Sequence, residues 1–346
     1  MSSGLKSGLS RRTDAAEVVA DLSQAFAGLQ PQVVTFFASH HHDGQAISAG
    51  LRDRYPAAEV LGCTSAGEFT QAGHSEGGVS ALALGPQKVR RCVGTLADFS
   101  SGVQEGVRAA TARLGTALKV DLRDLDPQRY VGLALMEGLK GREEETNDAL
   151  GEIAPLLSFV GGSAGDNLEF KRTRVFYNGE SSEDGAALLV LESAVPFTVL
   201  KACSFVPSGT SFDVTRADER NRVVYALNGR PVMEVYAEAL GMRPEALNSS
   251  TFMKNPLGLM IEGKPWVRSP QQVLPDGGLK FYCRVFEGKR IDLMRATDLL
   301  DDTRSALSGL SADLKGPAAG GLVFNCILRR LELDAQSGQP AFVEAF

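Results

Sequence analysis

The chain has 346 residues, enough for two or three domains and for a hydrophobic core that needs no covalent staples. Hydrophobic residues make up 43% and charged residues 23%, a globular composition that excludes wholesale disorder. The net charge of −6 argues against a nucleic-acid phosphate groove, and no stretch supplies the ~18 apolar residues of a membrane-spanning helix. The five cysteines, Cys63, Cys92, Cys203, Cys283 and Cys326, are odd in number, widely spaced and free of any C-x-x-C. They read as reduced thiols of a cytoplasmic protein rather than a disulfide framework or a zinc knuckle. The basic segment Met1–Arg12 has no apolar run behind it and is not read as a signal peptide.

In chain order, Asp14-Ala-Ala-Glu17 predicts a capped helix start, with Val18, Val19, Leu22 and Phe26 on one face. Residues 32–39 (QVVTFFAS) predict a buried strand that runs into His40-His41-His42-Asp43-Gly44. A helix follows over 46–55, then a strand over 59–63 that leads into Ser65-Ala66-Gly67-Glu68. Strands are expected over 79–84 and 89–93, a helix over 103–118, a strand over 130–136 and a helix over 143–157 interrupted near Pro155. The chain then reaches Gly161-Gly162-Ser163-Ala164-Gly165-Asp166.

The two S-A-G-acid turns expose an internal repeat. Ser65 lies 32 residues after Val33, and Ser163 lies 33 residues after Tyr130. Downstream, Gly78 to Leu84 and Gly185 to Leu191 both read G-x-x-x-L-x-L. The repeat implies two related units, 14–120 and 121–206, each of the form strand, helix, strand, turn, strand, strand. Beyond them, residues 207–211 (PSGTS) read as a linker. A helix is expected over 231–240, strands over 257–261, 266–268, 278–286 and 290–295, a helix over 298–314, and a last buried strand over 321–328 (GLVFNCIL). The fold class is therefore α/β, with mixed sheets packed by helices and built from repeated units.

Three adjacent histidines among only four in the chain form the rarest feature. On a strand end His40 and His42 would point one way and His41 the other, and with Asp43 they could ligate a metal or haem iron or hold an anion. The bland reading is a solvated turn. His74 is the only other histidine, so a protein-only metal site would have to draw on Asp43, Glu68, Asp166 or a cysteine. The S-A-G-acid turns let backbone approach a ligand, and Ser65, Glu68, Ser163 and Asp166 could bind its polar groups; alternatively they are tight structural turns.

Gly161 to Gly165 also matches G-x-S-x-G, but no histidine follows Ser163 to complete a hydrolase triad. Cys63 and Cys326 sit near expected strand ends. Cys326, beside Arg329 and Arg330, is a conceivable reactive thiol, although strand cysteines are usually small buried hydrophobes.

FFASHHHDG, GCTSAGEF, VGGSAGD, NGRPVMEVYAEALG, PLGL and FNCILRR occur in an order that resembles FIST-domain proteins over nearly the whole chain. The resemblance implies an N-type domain over 14–206 and a C-type domain over 207–346 that lacks its last turn and strand. It implies a non-enzymatic intracellular sensor that binds a small ligand, with amino acids proposed, and modulates a signalling protein such as a histidine kinase. A subgroup of the family binds haem through a histidine and senses nitric oxide. In this chain only His40, His41, His42 or His74 could serve as that ligand. Candidate ligand residues are thus His40, His41, His42, Asp43, Ser65, Glu68, Ser163, Asp166, Cys326 and Arg329. An enzyme with a Cys or Ser nucleophile is the remaining alternative, and neither nucleic-acid binding nor membrane insertion is expected.

Overall fold

The computed structural model describes residues 4–314 and 316–346; the first three residues of the basic N-terminal segment lie outside this range. The chain divides into two compact units, one of Met1–Leu200 with Leu307–Phe346 and one of Lys201–Ala306. Residues 307–346 thus belong to the same compact unit as the N-terminal part.

The first unit begins with β1 (Leu5–Ser10), α1 (Ala15–Ala25), β2 (Val33–Ser39), α2 (Gly44–Arg54) and β3 (Glu59–Ser65). The short strands β4 (Glu68–Thr70) and β5 (Gly73–Ser75) pair with each other, and β6 (Val79–Leu84) follows. Next come β7 (Val89–Asp98), α3 (Val103–Leu118), β8 (Tyr130–Met136), α4 (Glu143–Ile153) and β9 (Phe159–Ser163). The short β10 (Val175–Tyr177) and β11 (Glu180–Ser182) precede the long β12 (Gly185–Ser193).

One sheet has the order β1-β6-β2-β3-β10-β11, the other β7-β12-β8-β9. In both, the first four strands follow one plan. The second and third strands in the chain are parallel neighbours, β2 with β3 and β8 with β9, and the strand that closes the unit, β6 or β12, pairs antiparallel between the first and second. By this order β7 and α3 go with the second sheet, so the topological division lies near Gly85, whereas the expected units divided at 120 and 121.

The layers follow from alternation along each strand. In β8, Val131, Leu133 and Leu135 face a core between the sheets, while Ala134 and Met136 face α3 and α4. In β12, Ala187, Leu189 and Leu191 face the first core and Ala186, Leu188 and Val190 the second. In β2, Val34, Phe36 and Ala38 pack against α1 and α2, while Val33 and Phe37 look toward the other sheet. The unit is thus helix, sheet, sheet, helix. Burial of both faces explains why the strand sequences are near-continuous apolar runs rather than alternating ones. The expected capping box at Asp14 is present in part: its carboxylate accepts from the Ala16 and Glu17 amides.

The second unit carries β13 (Phe205–Asp218), β14 (Val223–Leu227), β15 (Arg230–Pro231), α5 (Val232–Ala239), α6 (Ser249–Lys254), β16 (Leu257–Ile261), β17 (Lys264–Arg268), β18 (Pro270–Val273), β19 (Leu279–Phe281) and β20 (Arg290–Ala296). Its sheet runs β17-β16-β20-β13-β14-β19-β18. The expected linker at 207–211 lies inside β13, where pairing with β20 slips between Pro207 and Ser211. Pro and Gly here mark a strand irregularity, as they do when a strand must bend.

α7 (Leu299–Asp313) spans the change of unit, and α8 (Ile327–Ala335) and α9 (Gln339–Glu344) end the chain. The strand expected over 321–328 is absent. Residues 316–326 run without regular structure, and Cys326 is the residue before α8. The apolar signal was real: Leu322 and Phe324 pack on the inter-sheet core, and Phe324 meets Phe37 edge-on at 5.8 Å. They are held by side-chain burial with no ladder partner.

Candidate functional site

The carboxyl ends of the parallel pairs β2–β3 and β8–β9 bring the His40–His42 turn and both S-A-G-acid turns together. This is where open α/β sheets place ligands, because loops leaving parallel strands converge there. In register, Ser39 pairs with Ser65 and Met136 with Ser163, so the histidine turn and both S-A-G-acid turns leave from strand ends. The two S-A-G turns abut. The Gly165 amide donates to the Thr64 carbonyl at 2.9 Å, and a side chain at Gly165 would come within 3.2 Å of the Ala66 Cβ.

The acids of these turns are engaged by their own backbone. Glu68 is 3% exposed; its carboxylate accepts from Ser65 Oγ at 2.6 Å and from the Gly78 and Gly77 amides at 3.0 and 3.4 Å. Burial pushes its pKa up, against those hydrogen bonds, which pull it down. Asp166 is 4% exposed and accepts from the amides of Phe170, Lys171 and Arg172 at 3.1, 2.7 and 3.0 Å. Asp43 caps α2 by accepting from the Ala46 amide at 3.0 Å. The buried Glu68 and Asp166 are spent on their own turns and lack the open face a ligand would need, whereas Asp43 caps its helix but stays exposed.

Arg330 ties the turns to α8. Its guanidinium donates to the Ala66 carbonyl at 2.5 Å and to Asn167 Oδ1 at 2.6 Å, and pairs with Asp334 at 2.9 Å and Glu76 at 3.1 Å. The neighbouring Arg329 donates to Asn325 Oδ1 at 3.2 Å. Ser163 Oγ bonds to Glu143 at 2.9 Å rather than to an imidazole. Cys63 is buried in β3 and its thiol is pushed up to about 12 by burial, which suits a structural thiol and not a nucleophile. Cys326 is exposed, not buried in a strand.

The histidines do not alternate as a strand would dictate, because β2 ends at Ser39 and residues 40–42 turn. His40 and His41 lie together, with ring centroids 3.8 Å apart, and His42 Nε2 is 2.9 Å from the Gly77 carbonyl. His40 Nε2 meets Glu169 Oε1 at 3.1 Å. Lys171 Nζ takes Glu169 Oε2 at 3.1 Å, and Lys171 and then His40 hold the Glu169 carboxyl below the usual range. His40 Nδ1 is buried and makes no hydrogen bond, uncommon for a buried polar atom. Imidazole nitrogens of His40 and His41 and a Glu169 oxygen all lie within 4.8 Å of one another. His74 stands exposed on β5 and joins none of this.

Glu169 was not foreseen; the metal reading named Asp43, Glu68, Asp166 or a cysteine instead. It lies 129 residues from His40, and only the adjacency of the two turns joins them. Its loop is strained: Asn167, Leu168 and Phe170 have φ of 57°, 67° and 51°, a region bulky side chains avoid. Asp166 fixes that conformation through its three amide bonds. The loop also leaves Leu168 and Phe170 outside, Phe170 52% exposed.

A haem iron has two axial positions and needs an imidazole facing a wide flat macrocycle. Here His40 Nε2 faces a carboxylate, its ring lies against His41, and His42 Nε2 is held by a carbonyl. Through Nε2, His40 could reach a haem iron only by giving up its pair with Glu169.

Among the described residues no helix is long and apolar enough to cross a membrane. Over 332 residues, 91% of this chain and 82% of the relatives' length, the chain is 26% identical to uncharacterised proteins of Mycobacterium tuberculosis strains CDC 1551/Oshkosh and H37Rv. The FIST N domain matches residues 32–230 and the FIST C domain residues 233–345. FIST domains are associated with signal-transduction sensing of small ligands. The chain belongs to the FIST family.

Proposed function

We propose that this chain is a non-enzymatic cytoplasmic sensor whose small ligand binds the strand-end face of the first unit. The observation that carries the reading is the His40–Glu169 pair, held at 3.1 Å by a strained loop beside two abutting S-A-G turns. Strain of this kind persists where surrounding structure over-determines a loop, and such loops concentrate at ligand sites. Amino acids are the favoured ligand class: Glu169 offers a carboxylate to an ammonium, and Lys171 and the histidines offer donors to a carboxylate. Ser163, Cys326, Arg329 and the exposed Asp43 stand as outer candidates, whereas the buried Glu68 and Asp166 shape the site from behind.

Binding would favour one conformation of the 166–172 loop and so alter how its exposed Leu168 and Phe170 meet a signalling protein such as a histidine kinase. A thermal-shift screen of the full chain against amino acids and related metabolites tests the reading. A rise in Tm with at least one compound, lost in Glu169→Gln, is expected. Silence across the panel, or an undiminished shift in the variant, contradicts it.

A further inference from the structure

Two clefts of the first unit lie away from the strand-end face. One is lined by α1 and the end of α2 around Ser23, Leu29 and Tyr55, the other by Pro127, Ser158 and Phe197. The first holds Arg54 and Tyr55 but no acid, histidine or thiol, and the second holds no titratable group. The grouping of His40, His41 and Glu169 brings histidines and an acid together, and its chemistry is specific. Two imidazoles and one carboxylate are the donor set that borderline divalent ions of the first transition row prefer, and they leave a coordination position open.

We infer that His40, His41 and Glu169 form a binding site for a single divalent transition-metal ion. This deepens the sensor reading and rests on it for the place of the site. Ligands on a tetrahedral zinc ion lie about 3.4 Å apart, given bonds of ~2.0–2.1 Å. The His40 and Glu169 atoms are already 3.1 Å apart, and the widest spacing in the set is within 4.8 Å. His41 is exposed, so its ring can rotate the remaining distance without disturbing the core.

His40 is the anchored member, its side chain 13% exposed, with a buried Nδ1 that makes no hydrogen bond. The Nε2 that faces Glu169 is the atom it would offer a metal, and its partner there is itself a proposed ligand. Lys171 on Oε2 orients the Glu169 carboxylate so that Oε1 faces the imidazole, the role outer partners play around metal ligands. The open position then gives a small chelating ligand, such as an amino acid through its amine and carboxylate, a place to coordinate.

The test uses the full chain stripped with EDTA. Zinc is titrated by calorimetry, and cobalt is added as a spectroscopic probe. One equivalent of zinc with low-micromolar or tighter affinity, and a tetrahedral or five-coordinate cobalt spectrum, are expected. Glu169→Gln and His41→Ala should each weaken zinc by about tenfold or more, while His74→Ala leaves it unchanged. Unaltered circular dichroism and Tm in the Gln variant separate lost ligation from lost folding.

Absence of saturable zinc binding, or binding that survives both variants, or binding lost equally in His74→Ala, overturns the site. If zinc fails but amino acids still raise Tm in EDTA, only the metal inference falls. If both fail, the sensor reading falls with it.

Discussion

Glu137, the residue after β8, has a buried carboxylate that accepts from the Leu139 and Lys140 amides at 3.0 and 2.8 Å. Burial raises its pKa above the ordinary value of 4.5, so the folded chain holds this proton more tightly than the unfolded chain does. Its contribution to stability is therefore fullest below that value and declines as pH rises through the window between the two. Glu137→Gln cannot ionise and should lack this decline; urea midpoints measured across the window would show a shallower fall in the variant than in the parent. An identical slope in both would refute the assignment. Asp166 is the second informative residue. Asp166→Ala leaves three amides without their acceptor, and a loss of about 1–3 kcal/mol is expected in urea denaturation. The strained 167–170 loop should relax with it, so the variant should also lose whatever ligand response Glu169 supports. The types of these residues could be read from the sequence, but not their roles. An S-A-G-acid turn looks the same whether its carboxylate faces a ligand or its own amides, and only the count of bonded N–H groups decides.

At the scale of elements, the strands and helices of the first unit were largely legible because their two-sided burial writes long apolar runs. The predicted bounds of α3 and β8 match the observed ones. β1 and the paired β10 and β11 were missed. LKSGLS has little apolar content, yet β1 pairs with β6 throughout its length, so main-chain bonding carries it. The run 321–328 misled for the opposite reason: Leu322 and Phe324 are anchored by their side chains, but among the described residues 316–326 enter no ladder. α9 shows how such a tail is fixed. Phe342 is 2% exposed, and its ring lies 5.5 Å from Phe69 and 5.2 Å from Phe346. Phe342→Ala should cost about 3–5 kcal/mol. Hydrogen exchange should then speed first in α9 and β4–β5, a local release rather than uniform loosening. Uniform loosening would show that α9 is not a separable anchor.

At the scale of the molecule, two sheets of the first unit share one order over four strands, and the pairing that assigns β7 to the second of them is not something motif spacing gives. Spacing counts from turn to turn, whereas a sheet is bounded by which strands pair, and β7 pairs with β12. The return of residues 307–346 to the first unit was likewise invisible, because Arg330 reaches Ala66 and Asn167 across 264 and 163 residues. What the two turns, the Arg330 clamp and the 166–172 loop have in common is one face, and the claim that this face is the sensor's ligand site is the centre of the account. Amide hydrogen exchange of the full chain, with and without a pooled set of amino acids and related metabolites, tests it most directly. Slowed exchange over 40–44 and 163–172, with the cleft around Ser23 and Tyr55 unchanged, is the predicted result. No change anywhere, or protection confined to that cleft or to the second unit, would contradict it.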